Sequence, residues 1–175
     1  MKRDVSLWQA GGFAAVSVGG TLLHFLYEWT GSRLWVAPFS GVNESTWEHM
    51  KLLYLPMLLV ALVQSRFLRT YPHFWCVKLT GTVVGLCLIP ILFYTYNGAV
   101  GPSPDWLNIT FFFVAAAGAF LLETHLLRRN AFPRCRPRVA VAALVGLGML
   151  FVVFTFAPPR LPLFRDPLTG DFGVL

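Results

Sequence analysis

The chain has 175 residues, 56% of them hydrophobic and only 13% charged, which excludes a soluble domain, since one of this length needs far more charge to cover its surface. A net charge of +6 would suggest nucleic acid as the partner of a soluble protein, but here the cations gather by loop and read as membrane topology, with no nucleic-acid partner expected. Five apolar runs near the ~20 residues that a bilayer core demands predict an all-α integral membrane bundle, a single transmembrane domain.

The first predicted helix, 7–27, has the basic start of a secretory signal in Lys2 and Arg3. No small-x-small cleavage site follows, and the run continues into His24-Phe-Leu-Tyr-Glu28-Trp29, so it reads as a retained helix. Gly12, Ala15, Gly19 and Gly20 allow close approach of a neighbour, as do Gly146 and Gly148 in the fifth helix. His24 and Glu28 are spaced i, i+4 and share one face.

The second helix, 50–68, is entered through Val42-Asn43-Glu44-Ser45-Thr46-Trp47-Glu48-His49-Met50-Lys51. Ser45-x-x-Glu48 reads as a capping box. A cap alone needs no Glu44, His49 or Lys51, and ionisable groups are costly at membrane depth. Glu44 and Glu48 repeat the i, i+4 spacing, so two pairs from consecutive antiparallel helices can converge. His24, Glu28, Glu44, Glu48 and His49 are therefore the candidate catalytic and metal-ligating residues. His with carboxylate suits a divalent Zn, Mn or Fe. The same set could instead work as acid and base without metal, or pass a cation. Asn43 and Ser45 are assigned support at the helix entry, and Lys51 balances the acids.

The third helix, 74–96, ends in Tyr94-Thr95-Tyr96-Asn97; both tyrosines fit an interface belt, and one of them is expected at the edge of the site. Pro56 and Pro90 each free a carbonyl, of Leu52 and Leu86, and must face protein or water. Asn97-Gly and Gly101-Pro-Ser-Pro-Asp105 form a loop of turns before the fourth helix, 106–126. Asn43-Glu-Ser and Asn108-Ile-Thr are formal glycosylation sequons lying too near the membrane to weigh much. Glu123 pairs most simply with Arg128 or Arg129 at the interface. The six tryptophans lie near helix ends, as an aromatic belt requires.

Ten cations (Lys2, Arg3, Arg66, Arg69, Lys78, Arg128, Arg129, Arg134, Arg136 and Arg138) fall on one side, against Arg33, Lys51, Arg160 and Arg165 on the other. The positive-inside rule then places the N-terminus in and the C-terminus out. Cys76, Cys87 and Cys135 match no metal spacing and lie in no outer loop, so they read as unpaired small apolar residues. After the fifth helix, 139–157, the outer segment 158–175 mixes turn formers with Leu161, Leu163, Phe164, Leu168 and Phe172 and is expected to fold back, carrying Arg160 or Arg165 over the site.

His24-Phe-Leu-Tyr-Glu-Trp, Val42-Asn-Glu-Ser-Thr-Trp-Glu-His-Met-Lys and Pro158-Pro-Arg-Leu-Pro-Leu-Phe-Arg-Asp-Pro-Leu-Thr-Gly together resemble a family of small prokaryotic polytopic membrane proteins of unknown function. The likeness spans nearly the whole chain, and NES-x-WEH-x-K is its most specific part; Gly170-Asp-Phe-Gly stands where an aromatic such as Tyr is expected. It implies a multi-pass protein of a bacterial or archaeal plasma membrane and carries no activity. From the residues themselves, the leading expectation is metal-assisted or acid/base chemistry on a lipid or lipid-linked substrate. A small cation or proton transporter and a non-catalytic subunit of a membrane complex are the alternatives. A blind pocket open to lipid favours the enzyme, and a polar path past Pro56 and Pro90 to Glu123 favours transport.

Overall fold

The computed structural model describes residues 2–68, 70–132 and 134–174, with the side chains of Lys2 and Arg3 left out. Arg69, one of the ten basic residues, lies outside the described residues. Five helices follow one another: α1 Lys2–Trp29, α2 Thr46–Phe67, α3 Phe74–Ala99, α4 Asp105–Arg128 and α5 Pro137–Phe156. Each is long and apolar enough to cross a membrane. The shortest, α5, has 20 residues, roughly 30 Å of rise, which matches a hydrocarbon core. Exposed Leu59, Leu62, Ile91, Leu121, Val145 and Met149 give the bundle an apolar exterior, consistent with lipid around it.

Several helices begin earlier than their apolar runs because polar side chains occupy their first turns. In α2 the Ser45 hydroxyl accepts from the Glu48 amide (3.4 Å) and starts the helix at Thr46. The reciprocal half of the expected capping box does not form: Glu48 Oε2 accepts instead from the Val42 amide, 3.1 Å away.

Close helix contacts occur where side chains vanish. Pro56 is buried, and its freed Leu52 carbonyl faces Gly20 of α1, where an added Cβ would come within 3.0 Å of that oxygen and 2.4 Å of the Phe112 ring. The core between the two ends of the bundle is apolar: Val16, Leu53, Met57, Leu86, Phe112, Ala115, Ala116 and Leu144. Trp47 belongs to this core rather than to an interface belt, packed against Phe151, Phe154 and Phe164 in tilted and edge-on contacts.

Two expectations at the basic end are overturned. Cys76 and Cys135 are joined in a disulfide, because the connector after α4 folds back on the first turn of α3; only Cys87 is free. Glu123 does not pair with Arg128 or Arg129. It is fully buried on the inward face of α4 and binds Lys78 Nζ at 2.5 Å, and Lys78 also donates to Gln9 Oε1 (3.3 Å). Gly81 of α3 makes room for that carboxylate, since a Cβ there would lie 2.3 Å from Glu123 Cγ.

At the opposite end the C-terminal segment folds back. Phe164, in a short 3-10 turn Pro162–Phe164, packs on Trp47, and Arg165 bridges Phe172 antiparallel. The Val174 amide donates to the Thr155 carbonyl at 3.2 Å. Asp166 is buried; its Oδ1 accepts from the Leu168 amide (2.7 Å) and the Thr169 amide (3.3 Å). Arg160 and Arg165 are both exposed, and neither forms an ion pair among the described residues.

Candidate metal centre

Three of the five expected ligands meet. His24 comes from the last turns of α1, Glu44 from the loop before α2, and His49 from the first turn of α2. One donor atom from each lies within 4.8 Å of the others. Glu44 bridges the pair: Oε1 is 3.7 Å from His24 Nε2, and Oε2 is 3.4 Å from His49 Nε2. All three side chains are partly exposed, so a ligand can reach them.

The tautomer of His49 decides what this contact means. Its Nδ1 lies 3.0 Å from the Ser45 carbonyl, which can only accept, so Nδ1 carries the proton. With the ring neutral, Nε2 turns a lone pair toward Glu44 and two acceptors face each other across 3.4 Å, an approach that a cation between them, a proton or a metal ion, relieves. A carbonyl bond on the far nitrogen of a ligating His is also the usual device that orients it.

Glu28 and Glu48 do not join. The Ser40 hydroxyl inserts into the ladder of α1, accepting from the Tyr27 amide (2.9 Å) and donating to the Leu23 carbonyl. Glu28 lies beyond that insertion, exposed, and borders neither cavity described below. Glu48 turns the other way, into the protein, where it is 2% exposed beside Lys51 at 1%. Lys51 Nζ spends all three protons there: on Glu48 Oε2 (2.5 Å), the Ala37 carbonyl (2.8 Å) and Thr155 Oγ1 (2.9 Å). Thr155 Oγ1 also lies 3.2 Å from Glu48 Oε1. This network ties α2 to the loop before it and to the end of α5. Lys51 therefore balances one acid, Glu48, rather than the cluster.

Asn43 supports the loop as expected: its Oδ1 accepts from the Ser45 amide (3.0 Å) and its Nδ2 donates to the Gly173 carbonyl (3.1 Å). The Glu44 amide donates to Asp166 Oδ2 at 3.3 Å, so the C-terminal segment holds the ligand-bearing loop directly. Tyr94 is exposed and Tyr96 packs against Phe111; neither borders the two cavities beside the cluster.

Two adjoining cavities, of about 220 and 380 Å³, share Glu44, His49, Asp105, Asn108, Phe112 and Leu168. His24 borders the larger one, together with Phe25 and Ile109, whose side chains are otherwise exposed on the exterior of α1 and α4. Asp105 and Asn108 are the residues the sequence reading passed over. They stand at i, i+3 in the first turn of α4, a spacing that a helix start after a turn-rich loop explains without any site.

The model of the family of unknown function DUF6512 matches residues 2–174, and the chain belongs to that family. No curated protein matches the chain. No solved structure matches it either.

Proposed function

We propose that this membrane protein is a metal-dependent hydrolase, most simply a zinc enzyme, acting on an ester or phosphoester bond of an amphiphilic substrate. The observation that supports the reading is the convergence of His24, Glu44 and His49, one donor atom from each within 4.8 Å of the others, in a partly open cavity. Two His and one carboxylate leave a fourth position free, as catalytic zinc sites do. A bound zinc would polarise the scissile group and acidify a water. Asp105, in the wall of both cavities, is the carboxylate free to take a proton from that water and return it to the leaving oxygen. Phe25 and Ile109 border the larger cavity and reach the lipid-facing exterior, which suits a substrate with an acyl chain. By the count of cations, this end of the bundle faces outward.

The transport reading finds less support. Three polar residues at this end have a polar counterpart fifteen positions away in the same helix: His24 and Gln9, His49 and Gln64, Asn108 and Glu123. That is roughly 22 Å of rise, filled by the buried apolar layer around Leu53, Phe112 and Ala116.

The test is elemental analysis of protein purified without chelator, then zinc titration of metal-stripped protein. One zinc per chain is expected, lost in His24→Ala, Glu44→Ala and His49→Ala and kept in Glu28→Ala. Zinc binding that survives all three substitutions defeats the reading.

A further inference from the structure

The loop before α4 contains a hydrogen-bonded relay whose direction can be fixed from the backbone. The Ser103 amide, which can only donate, bonds Asn97 Oδ1 at 2.9 Å. Asn97 Nδ2 is thereby the donor end; it bonds the Phe93 carbonyl (2.7 Å) and Ser103 Oγ (3.1 Å). Ser103 Oγ has accepted once, so its own proton goes to Asn108 Oδ1, 2.6 Å away. Asn108 is left with Nδ2, two N–H donors without a partner among the described residues, on a side chain that borders both cavities. The relay prevents the amide from turning over, because an inverted Asn108 would set its N–H groups against a hydroxyl whose proton has no other acceptor in the relay.

Charge around the cavity narrows what those donors meet. Glu44 and Asp105 carry formal negative charges, and no Lys or Arg borders either cavity. One divalent ion brings the formal sum of ion, Glu44 and Asp105 to zero. A phosphate diester would add an uncompensated charge, which is costly in a partly enclosed space. A neutral carbonyl adds none until the reaction creates an oxyanion, and a fixed amide donor is what stabilises that charge as it forms.

We propose, resting on the metal-site reading, that Asn108 binds the carbonyl oxygen of an acyl ester or amide, so that the substrate is an acylated amphiphile rather than a phosphodiester. In the reaction, the water oxygen bonds the carbonyl carbon while Asp105 takes one of its protons. The carbonyl oxygen gains negative charge and is met by Asn108 Nδ2. The bond from the carbonyl carbon to the alcohol oxygen or amine nitrogen breaks, and Asp105 passes the proton to that leaving atom. The products are a carboxylic acid and an alcohol or amine, with no redox change.

The experiment uses zinc-loaded full-length protein in nanodiscs and two probes with the same chain, dodecanohydroxamate and dodecylphosphonate. Wild type is expected to bind the hydroxamate tighter. Asn108→Ala is expected to lose about tenfold or more in hydroxamate affinity, the usual effect of removing a bond to a charged or strongly polar group, with zinc stoichiometry unchanged. Ser103→Ala breaks the same loop contact but keeps the Nδ2 donors, so it should lose clearly less and controls for loop damage. Equal binding by wild type and Asn108→Ala with zinc retained, equal losses in both variants, or a preference for the phosphonate overturns the proposal while leaving the metal site intact. Failure of wild type to hold zinc overturns the metal reading and this one with it.

Discussion

Glu48 and Glu44 look equivalent in the sequence, yet their surroundings assign them opposite work, and Lys51→Met separates the two. The substitution keeps the volume and removes three hydrogen bonds, to Glu48, Thr155 and the Ala37 carbonyl. It leaves Glu48 buried at 2% exposure with no cation. Stranding one member of a buried ion pair costs about 3–5 kcal/mol. For a chain of this size that lowers Tm by roughly 6–20 °C, read in detergent by tryptophan fluorescence or by the heat-induced loss of monodisperse protein. Adding Glu48→Gln removes the stranded charge and should recover a large part of the loss. The double variant should also bind zinc as wild type does, since Glu48 holds no metal on this account. If Lys51→Met melts at an unchanged temperature, or if the double variant loses zinc while folded, the division between pin and site is wrong.

Gly81→Ala would place a methyl 2.3 Å from Glu123 Cγ, against a carboxylate held by Lys78, so a loss of about 1–3 kcal/mol in thermal stability is expected from overpacking. Asp166→Ala removes the carboxylate that holds the amides of Glu44, Leu168 and Thr169; zinc affinity should fall about 10–100-fold in a titration while the three ligands remain. Mild oxidation followed by peptide mapping should link Cys76 to Cys135 and leave Cys87 alkylatable, and closing that 59-residue separation should stabilise the chain by about 4 kcal/mol over its dithiol form. If the basic face is cytoplasmic, the same pair should be found as thiols in intact cells, so its native redox state also reports which way the chain threads the membrane.

What could be read in advance follows from the range of the forces involved. The five helices were legible because a bilayer imposes its demand on each one separately, through about twenty apolar residues at a time. The meeting of His24 with the 43–51 motif was legible because both flank a single connection between consecutive helices. Rotation about a helix axis was not. Spacing places Glu28 on the same face as His24 and Glu48 on the same face as Glu44, but it does not say that Ser40 opens the α1 ladder below Glu28, nor that Ala37 and Thr155 draw Lys51, and with it Glu48, inward. Lys78 with Glu123, Cys76 with Cys135, and Asp166 with Glu44 are each separated by more than forty residues, and no local periodicity encodes such pairings.

The two ends of the bundle solve one problem in opposite ways. Ionisable groups inside a membrane protein must be neutralised locally, because neither lipid nor a packed core can screen them. At the basic end, Lys78 supplies the charge that Glu123 needs, and Gly81 lets α3 press close enough to shut the pair away. Beneath the opposite end, Lys51 does the same for Glu48. Those two lysines are the buried cations among the described residues, and both are consumed. Glu44 receives neither. Its backbone amide is fixed by Asp166, its carboxylate is aimed at two imidazoles, and one of those has its proton committed to the Ser45 carbonyl. Two buried acids are thus neutralised by lysines, while the partly exposed Glu44 has two imidazoles beside it and no Lys or Arg ion pair among the described residues. Glu44 borders a cavity of about 380 Å³ beside the lipid-facing surface. That difference in charge partners, more than the count of histidines and acids, is why the cation is sought there.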